Sequence, residues 1–515
     1  MTLFNEKRSR RNPRGALCRS NFGKSNPVCS ALSAVGLHER LAYPGIETFS
    51  LSLNRYFSQS ARLEPQCFLR PHNTAEVALA VKTLVKANQT APCKFAVRSG
   101  GHTHFAGAAG ISGGVTVDLS LMNGVLYHPE NETVSAGSGA TWLDVYSYVD
   151  KIGKMVVGGR SASVGLGGLI LGGGNSYHAA RKGMVCDNVA NFEVVLADGS
   201  IVNANKNENQ DLFQVLKGGS NNFGIVTRFD LEAFEGGNIF GGLVLYPEQT
   251  AEQQFHAILN FGDKIEQDPY GSALVIGVYL PAVAPVPMFM NAYEYTSPVE
   301  RPAVFEEFFS ISGNLSDTTG IRNMTSLALE LEEPKTHRIS FSTLTFKSDI
   351  RVLHKAHAAF KTVIERLSAQ ATGDWAILTL YQPLPVLFAQ HSGKKGGNVL
   401  GLDRFNENLI LYEPYLKWSS SEDDVLFESQ AQWLREEIES YAKELGADNE
   451  FVYLDYADKN QKPLESYGRE NVAKMRKAAA KYDPEGVFQY MLPGGFKVSE
   501  IRPEFGKLPE GHTEL

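Results

Sequence analysis

Apolar positions along this chain recur with two different periods, and the switches between them mark out the elements. From Pro65 the segment CFLRPHNTAEVALAVKTLVKANQTAPCKFAV passes from a short apolar run to a helical rhythm, with Val77, Val81, Leu84 and Val85 on one stripe. It returns to an apolar run at Phe95 to Val97. That order predicts strand, helix, strand, with Thr74 ahead of Glu76 as the helix N-cap. Next, VTVDLS, TVSAGSG and KMVVGG read as extended pieces around a helix near Trp142 to Ile152. NFEVVLADGSIVNA reads as a hairpin with Asp198-Gly199 as a two-residue turn. DLFQVLKGG is a short helix, and FGIVTRFDLEAF closes an α+β unit near Phe234.

Beyond Gly237 the apolar runs lengthen. FGGLVLYP, ALVIGVYLP, RISFSTLTF, WAILTLYQP and NLILYEPYLKW predict strands, alternating with helical stretches near 248–263, 350–369 and 424–445. A last segment carries FVYLDYAD as a strand, a helix from Asn471 to Tyr482 with Val472, Met475 and Ala479 inward, and then YDPEGVFQYMLPGGF. The expected division is a leader over 1–40, in part disordered, a first domain over 63–235, a second over 236–450 and a closing segment over 451–498. Which face of the long strands lines a pocket and which fills a core is open at this level.

Composition narrows the class. With 43% hydrophobic and 21% charged residues in 515, the chain is neither disordered nor fibrous, and no stretch approaches the ~20 apolar residues of a membrane helix. A net charge of -8 argues against a nucleic-acid partner held through phosphates. The five cysteines form no CxxC pair, so a zinc site is not expected. The basic run MTLFNEKRSRRNPRGALCRSNFGK lacks an apolar signal-peptide core, which points to the cytoplasm for the sequence as it stands, or to secretion from a longer N-terminus. The glycines are unevenly spread: 23 of 48 fall between Gly100 and Gly224. Such density means tight turns, or backbone lying close against a ligand.

Three of these glycine-rich stretches carry candidate chemistry. Arg98-Ser99-Gly100-Gly101-His102 follows a strand directly, so paired glycines can turn backbone N–H groups into one cavity and project the histidine there. GGRSASVGLGGLILGGG, from Gly158 to Gly174, is a poor nicotinamide fingerprint, because Gly172 to Gly174 would end the helix soon after it began. It reads better as a loop with short regular pieces against a large flat or anionic ligand. The third is Cys186-Asp187-Asn188-Val189 with GGSNNFGIVT, Gly218 to Thr227.

Taken in order, RSGGH, GGR...VGxGG...GGG, CDNV...VVLADG, DLFxxLKGG and NFGIVT, with the terminal KYDPEGVF, resemble the FAD-linked oxidases with a PCMH-type flavin domain, in their berberine-bridge-enzyme-like branch. The resemblance implies an α+β fold in two parts: a PCMH-type FAD-binding domain, and a substrate domain with a mostly antiparallel sheet flanked by helices. It places covalent attachment of FAD on His102, a link that raises the flavin's reduction potential. Some members add a second link through a cysteine where this chain has Ser161, so a single linkage is expected. Arg98, Ser99, Gly100, Gly101, Thr103, Gly159, Val164, Gly165, Gly167, Gly168, Gly173 and Gly174 are implied to line the diphosphate and ring. Asp187, Asn188 and Val189, with Gly224, Ile225 and Val226, are implied to flank the adenine and ribose.

For chemistry, the resemblance puts a proton-accepting tyrosine at Tyr456. Asp455 replaces the family's usual asparagine and either lowers the flavin's electron affinity or itself supplies the base. Asn175 stands where some plant relatives carry a substrate-side tyrosine. His104 and His178 read as polar pocket or surface residues rather than catalysts. A disulfide near the family's start implies Cys29 with Cys93. The expected activity is hydride transfer from an alcohol or activated C–H of a small organic molecule to FAD, with O2 as acceptor, in secondary metabolism. Oxidation of a sugar lactol, or a non-redox flavin-bearing cyclase or binding protein, stand as alternatives.

Overall fold

The computed structural model describes residues 27–505, arranged around three sheets. The first has four strands in the order Leu41–Ala42, Cys67–Leu69, Val115–Asp118 and Phe95–Arg98, the last three parallel. The helix Thr74–Asn88 makes the crossover and buries Val77, Val81 and Leu84. Its cap is Asn73, not Thr74: Asn73 is extended and its side chain accepts from Glu76 N at 3.0 Å. Thr74 is already helical and donates to Glu193 at 2.6 Å.

The second sheet is antiparallel, in the order Val125–His128, Thr133–Gly137, Ile225–Glu235, Val189–Val195, Ile201–Asn205, with Lys154–Val156 also paired to Ile225–Glu235. The hairpin turn differs from the two-residue expectation. Leu196 N bonds Ser200 O at 2.9 Å, which leaves a three-residue loop, Ala197 to Gly199, and Gly199 takes the left-handed position (φ 74°) that such loops require.

The third sheet has ten strands and only antiparallel pairings. At its centre lie Ile239–Pro247, Ala284–Tyr295, Gly271–Leu280, Trp375–Leu384 and Leu409–Trp418. RISFSTLTF is two strands, Arg338–Phe341 and Leu344–Lys347, each paired with Leu409–Trp418. The helices Ala251–Lys264, Ile350–Gln370 and Asp424–Glu444 cover one face, where Phe255, Phe360 and Leu434 pack with Val275, Ile377 and Tyr381. Because side chains alternate along a strand, the neighbours Leu274, Ile276, Leu378 and Leu380 point the other way. That second face looks towards the first domain, with the helix Met324–Glu330 against its edge at Gly241.

The chain then returns to the first domain. Residues 451–458, expected as a strand, are extended with one turn of 3-10 helix at Leu454–Tyr456 and pair with no strand. The helix Arg469–Tyr482 packs on Gln210–Leu216, fixed by Tyr482 OH donating to Asp211 at 2.6 Å. Asp483 accepts from Val487 N and Phe488 N, both at 2.7 Å, and seats Phe488 in the core of the first sheet.

At the other end, residues 27–40 are ordered rather than leader-like, and the helix Pro27–Leu32 buries Val28, Cys29 and Leu32. The basic run up to Lys24 lies outside the described residues. The disulfide joins Cys29 to Cys67, not to Cys93. Cys67 opens the strand beneath that helix, whereas Cys93 is a buried free thiol, its pKa pushed up to about 11 by burial. The bridge closes a separation of 38 residues. Cys67→Ser is therefore expected to lower unfolding stability by roughly 3 kcal/mol, read as a shift of the denaturant midpoint; an unmoved midpoint would show that the bridge adds nothing to the folded chain's advantage.

Candidate active site

Between the glycine-rich loops and the second face of the third sheet lies a cavity of about 610 Å³. One wall is backbone. The loop 99–103 and the start of the helix Leu166–Gly172 meet so closely that a Cβ on Gly100 would lie 2.5 Å from Gly165 Cα, and one on Gly165 would lie 2.4 Å from Gly100 Cα. Ser99 Oγ ties the two together, donating to Ser138 O at 2.5 Å and accepting from Gly167 N at 3.2 Å. Gly168 lines the cavity, and a Cβ there would meet nothing within 4 Å.

His102 sits at the end of this loop, half-buried on the cavity wall. Its ring stacks on Phe57 at 3.8 Å and 14°. Burial, helped by the charge of Lys335, pulls its pKa down to about 3. The imidazole is thus neutral and keeps a lone pair, the form a nitrogen needs to bond a carbon. Arg98 holds the loop from below: fully buried, it pairs with Asp118 at 2.6 Å and stacks on Tyr56. Burial opposes ionisation of Asp118, but Arg98 and Ser52 outweigh it and hold that carboxyl below its usual range.

The opposite wall is aliphatic, with Leu274, Ile276, Val278, Leu378, Leu380 and Met290 facing in from the sheet. Polar groups gather where the walls meet. Tyr456 OH accepts from Arg160 Nη2 at 2.5 Å and lies 3.4 Å from Gln382 Oε1, which Arg160 also reaches at 2.8 Å. Burial pushes the Tyr456 phenol up to about 12 despite Arg160. Glu413 faces the cavity from the strand Leu409–Trp418, and among the described residues no hydrogen-bond donor reaches it. Burial raises it to about 8, with Arg160 pulling the other way.

Asp455 also reaches the cavity, but its carboxylate is engaged. It accepts from Tyr453 OH at 2.8 Å and Gly174 N at 3.1 Å, and it fills the space a Cβ on Gly172 would take. Burial raises its pKa to about 7. It closes the end of the helix Leu166–Gly172, a bond that an asparagine's amide oxygen could equally accept.

Of the residues expected from sequence, Ser99, Gly100, Gly101, His102, Thr103, Ser161, Val164, Gly165, Gly167, Gly168, Gly224, Ile225, Val226, Asp455 and Tyr456 line the cavity together. The others stand off its wall. Arg98 is the support just described. Gly159 packs under Trp142, Gly173 against Leu400 and Gly174 against Val185. Asp187 accepts from Met184 N and Asn398, and Asn188 donates to Met184 O at 2.8 Å, so both brace the loop at Lys395 to Asn398. Val189 is a buried strand residue. Asn175 and His104 reach the cavity, whereas His178 is buried against Phe234.

Arg160, Gln382 and Glu413 are not among the residues expected from the sequence. Arg160 stood inside the quoted GGRS motif. Glu413 was a carboxylate in the otherwise apolar NLILYEPYLKW, a signal that was available.

A backbone cradle with open space at Gly168, beside a neutral histidine, fits a flat cofactor with a long phosphate tail. The comparisons name it. Residues 65–205 match the FAD binding domain. FAD-dependent monooxygenase drtC of Aspergillus calidoustus is 40% identical over 478 residues, 92% of this chain and 90% of that protein. The chain belongs to this family of FAD-linked oxidoreductases. A second member, FAD-dependent monooxygenase sdcF of Emericella nidulans, is also 40% identical, over 92% of this chain and 98% of its own. Among solved structures, the fold of the family is shared with Physcomitrella patens BBE-like 1 (TM-score 0.72, 17% identity, 90% of this chain and 98% of that one). It is shared equally with xylooligosaccharide oxidase from Myceliophthora thermophila C1 (TM-score 0.72, 19% identity, 91% and 99%). Among the described residues no helix is long and apolar enough to cross a membrane.

A Cβ at Gly168 meets no protein atom within 4 Å, so the larger Gly168→Leu side chain starts into open space at the cavity wall. We expect a folded, colourless protein, with FAD content per chain below about a tenth of normal. Full yellow absorbance in this variant would place the cofactor elsewhere.

Proposed function

We propose that this FAD-dependent oxidoreductase oxidises an alcohol or activated C–H of a small organic molecule in secondary metabolism, with FAD held by one covalent bond to His102 and O2 as the electron acceptor. The observation that carries the reading is one cavity walled by the glycine cradle on one side and the aliphatic sheet on the other, with Tyr456 and Glu413 at the seam. The aliphatic wall favours an apolar molecule over a sugar lactol. Bound FAD supplies a two-electron acceptor that passes its electrons on to O2, releasing H2O2.

The chain's own residues supply position and proton handling. His102, neutral and stacked on Phe57, anchors the cofactor, while Ser161 offers no thiol for a second bond. The aliphatic wall excludes water from the reacting carbon. Glu413 takes the substrate's proton: it faces the cavity unpartnered, and a carboxyl raised to about 8 is a stronger base than an ordinary one. Tyr456 stays protonated at neutral pH and orients the substrate oxygen. Asp455, occupied by Tyr453 and Gly174, holds the helix end rather than the proton.

Substrate should bleach the flavin without air and yield H2O2 with it; incorporation of labelled oxygen from O2 into product would instead support the monooxygenase reading carried by the relatives' names. As a base, Glu413 must be ionised to act, so kcat/KM should rise with pH through about 8. Glu413→Gln is expected to abolish that rise and slow flavin reduction by about a hundredfold or more; an unchanged profile would remove Glu413 from the reaction. Tyr456→Phe should also slow reduction while loading FAD normally. Acid precipitation should strip the flavin from His102→Ala and leave it on the unaltered protein.

A further inference from the structure

Arg160 carries a charge with no paired carboxylate among the described residues. Its guanidinium lies on the cavity wall, at the seam between the glycine cradle and the sheet. Both of its hydrogen bonds leave from Nη2 and end on neutral oxygens, Gln382 Oε1 and Tyr456 OH. Among the described residues no carboxylate comes within ion-pair distance of it. Lys417, on the same wall, is already paired with Glu333 at 3.1 Å. Glu294 and Glu413 feel the charge of Arg160 from beyond ion-pair distance, and burial raises both to about 8, so neither is a standing counter-charge at neutral pH, although the ionised fraction of Glu413 remains free to act as a base.

Burial disfavours the charge of Arg160, and Tyr456, Tyr177, Tyr453 and Glu294 together outweigh that cost and keep it ionised, yet none of them is an anion paired with it. An ionised oxygen entering the cavity would complete the pair in a water-poor setting, where charge-assisted bonds are strongest. Tyr456 could add a second donor, since its contact with Gln382 is stretched to 3.4 Å and its proton can turn to the newcomer. Beyond this polar corner the sheet contributes Leu274, Ile276, Val278, Leu378 and Leu380. Three carboxylates that also line the cavity are engaged, Glu330 by Arg322, Glu332 by Ser163 N and Glu333 by Lys417. A neutral sugar would leave Arg160 unpaired and set hydroxyls against aliphatic carbon.

We infer that Arg160 receives an ionised oxygen of the substrate, and that the substrate is an amphiphilic weak acid whose apolar body lies along the sheet. The inference rests on this cavity being the substrate site. Arg160 selects and positions; the proton from the reacting carbon's hydroxyl still goes to Glu413.

Octanoate, octan-1-ol and acetate serve as probes of head and body, bound to flavin-loaded protein by equilibrium dialysis at neutral pH. Octanoate should bind at least about tenfold more tightly than either of the others. Arg160→Met should erase the advantage over octan-1-ol and leave octan-1-ol binding within about threefold, while Arg160→Lys, which keeps the charge, should retain most of it. Equal binding of octanoate and octan-1-ol to the unaltered protein, or an unchanged preference in Arg160→Met, would overturn the inference. Should Arg160→Met fail to load flavin, the ratio in the unaltered protein decides alone. Dialysis is independent of turnover. An Arg160-dependent preference in a protein that makes no H2O2 from any substrate would sink the oxidase reading and keep the anion site; peroxide formation without the preference would do the reverse.

Discussion

The backbone contact between Gly100 and Gly165 is the constraint on which the site depends. Two loops from different parts of the flavin domain touch with no side chain between them, and Ser99 bolts the contact through Ser138 O and Gly167 N. This closeness fixes His102 relative to Gly168, so the anchor and the open cradle face one cavity. Arg98 and Asp118, buried as a pair beneath the loop, keep it from relaxing. Glycine density here reflects backbone proximity as much as turn geometry: Gly100, Gly165 and Gly168 need no left-handed φ, while Gly101 (φ 70°) does.

The third sheet contributes through the simplest property of a strand. Alternation sends Val275, Ile377 and Tyr381 to the helices, and Leu274, Ile276, Leu378 and Leu380 to the cavity. One set of strands thereby builds both a core and a binding wall. Glu413 falls on the cavity side of the same alternation, which is why a carboxyl in an apolar strand ends up at the seam rather than in the core. Arg160 approaches from the cradle side, so the polar corner exists only because the two domains are packed together.

Much of this was legible from residues alone. The ordered motifs located the flavin loops, and the helical stripe of Val77, Val81 and Leu84 is buried as the periodicity required. Local chemistry misled where a neighbouring residue did the job better: Asn73 capped the helix ahead of Thr74, and Gly199 made a three-residue turn of an Asp-Gly pair. Long-range pairings were beyond reach. Nothing local tells Cys67 from Cys93 as the partner of Cys29, because the choice depends on which strand passes under the first described helix. The same limit hid the roles of Asp187 and Asn188, whose partners lie some 200 residues away at Lys395 and Asn398. It also left undecided which face of each long strand met the ligand, and with it the corner formed by Arg160, Gln382 and Glu413.

The most direct test of the account is the flavin content of Gly165→Ala. The added methyl would meet Gly100 Cα and N at 2.4 Å, where only backbone is present to give way. The two loops should then separate and the purified protein carry little FAD, while the core of the third sheet, built on other residues, stays folded by circular dichroism. A Gly165→Ala protein with one FAD per chain, still attached after denaturation, would contradict it.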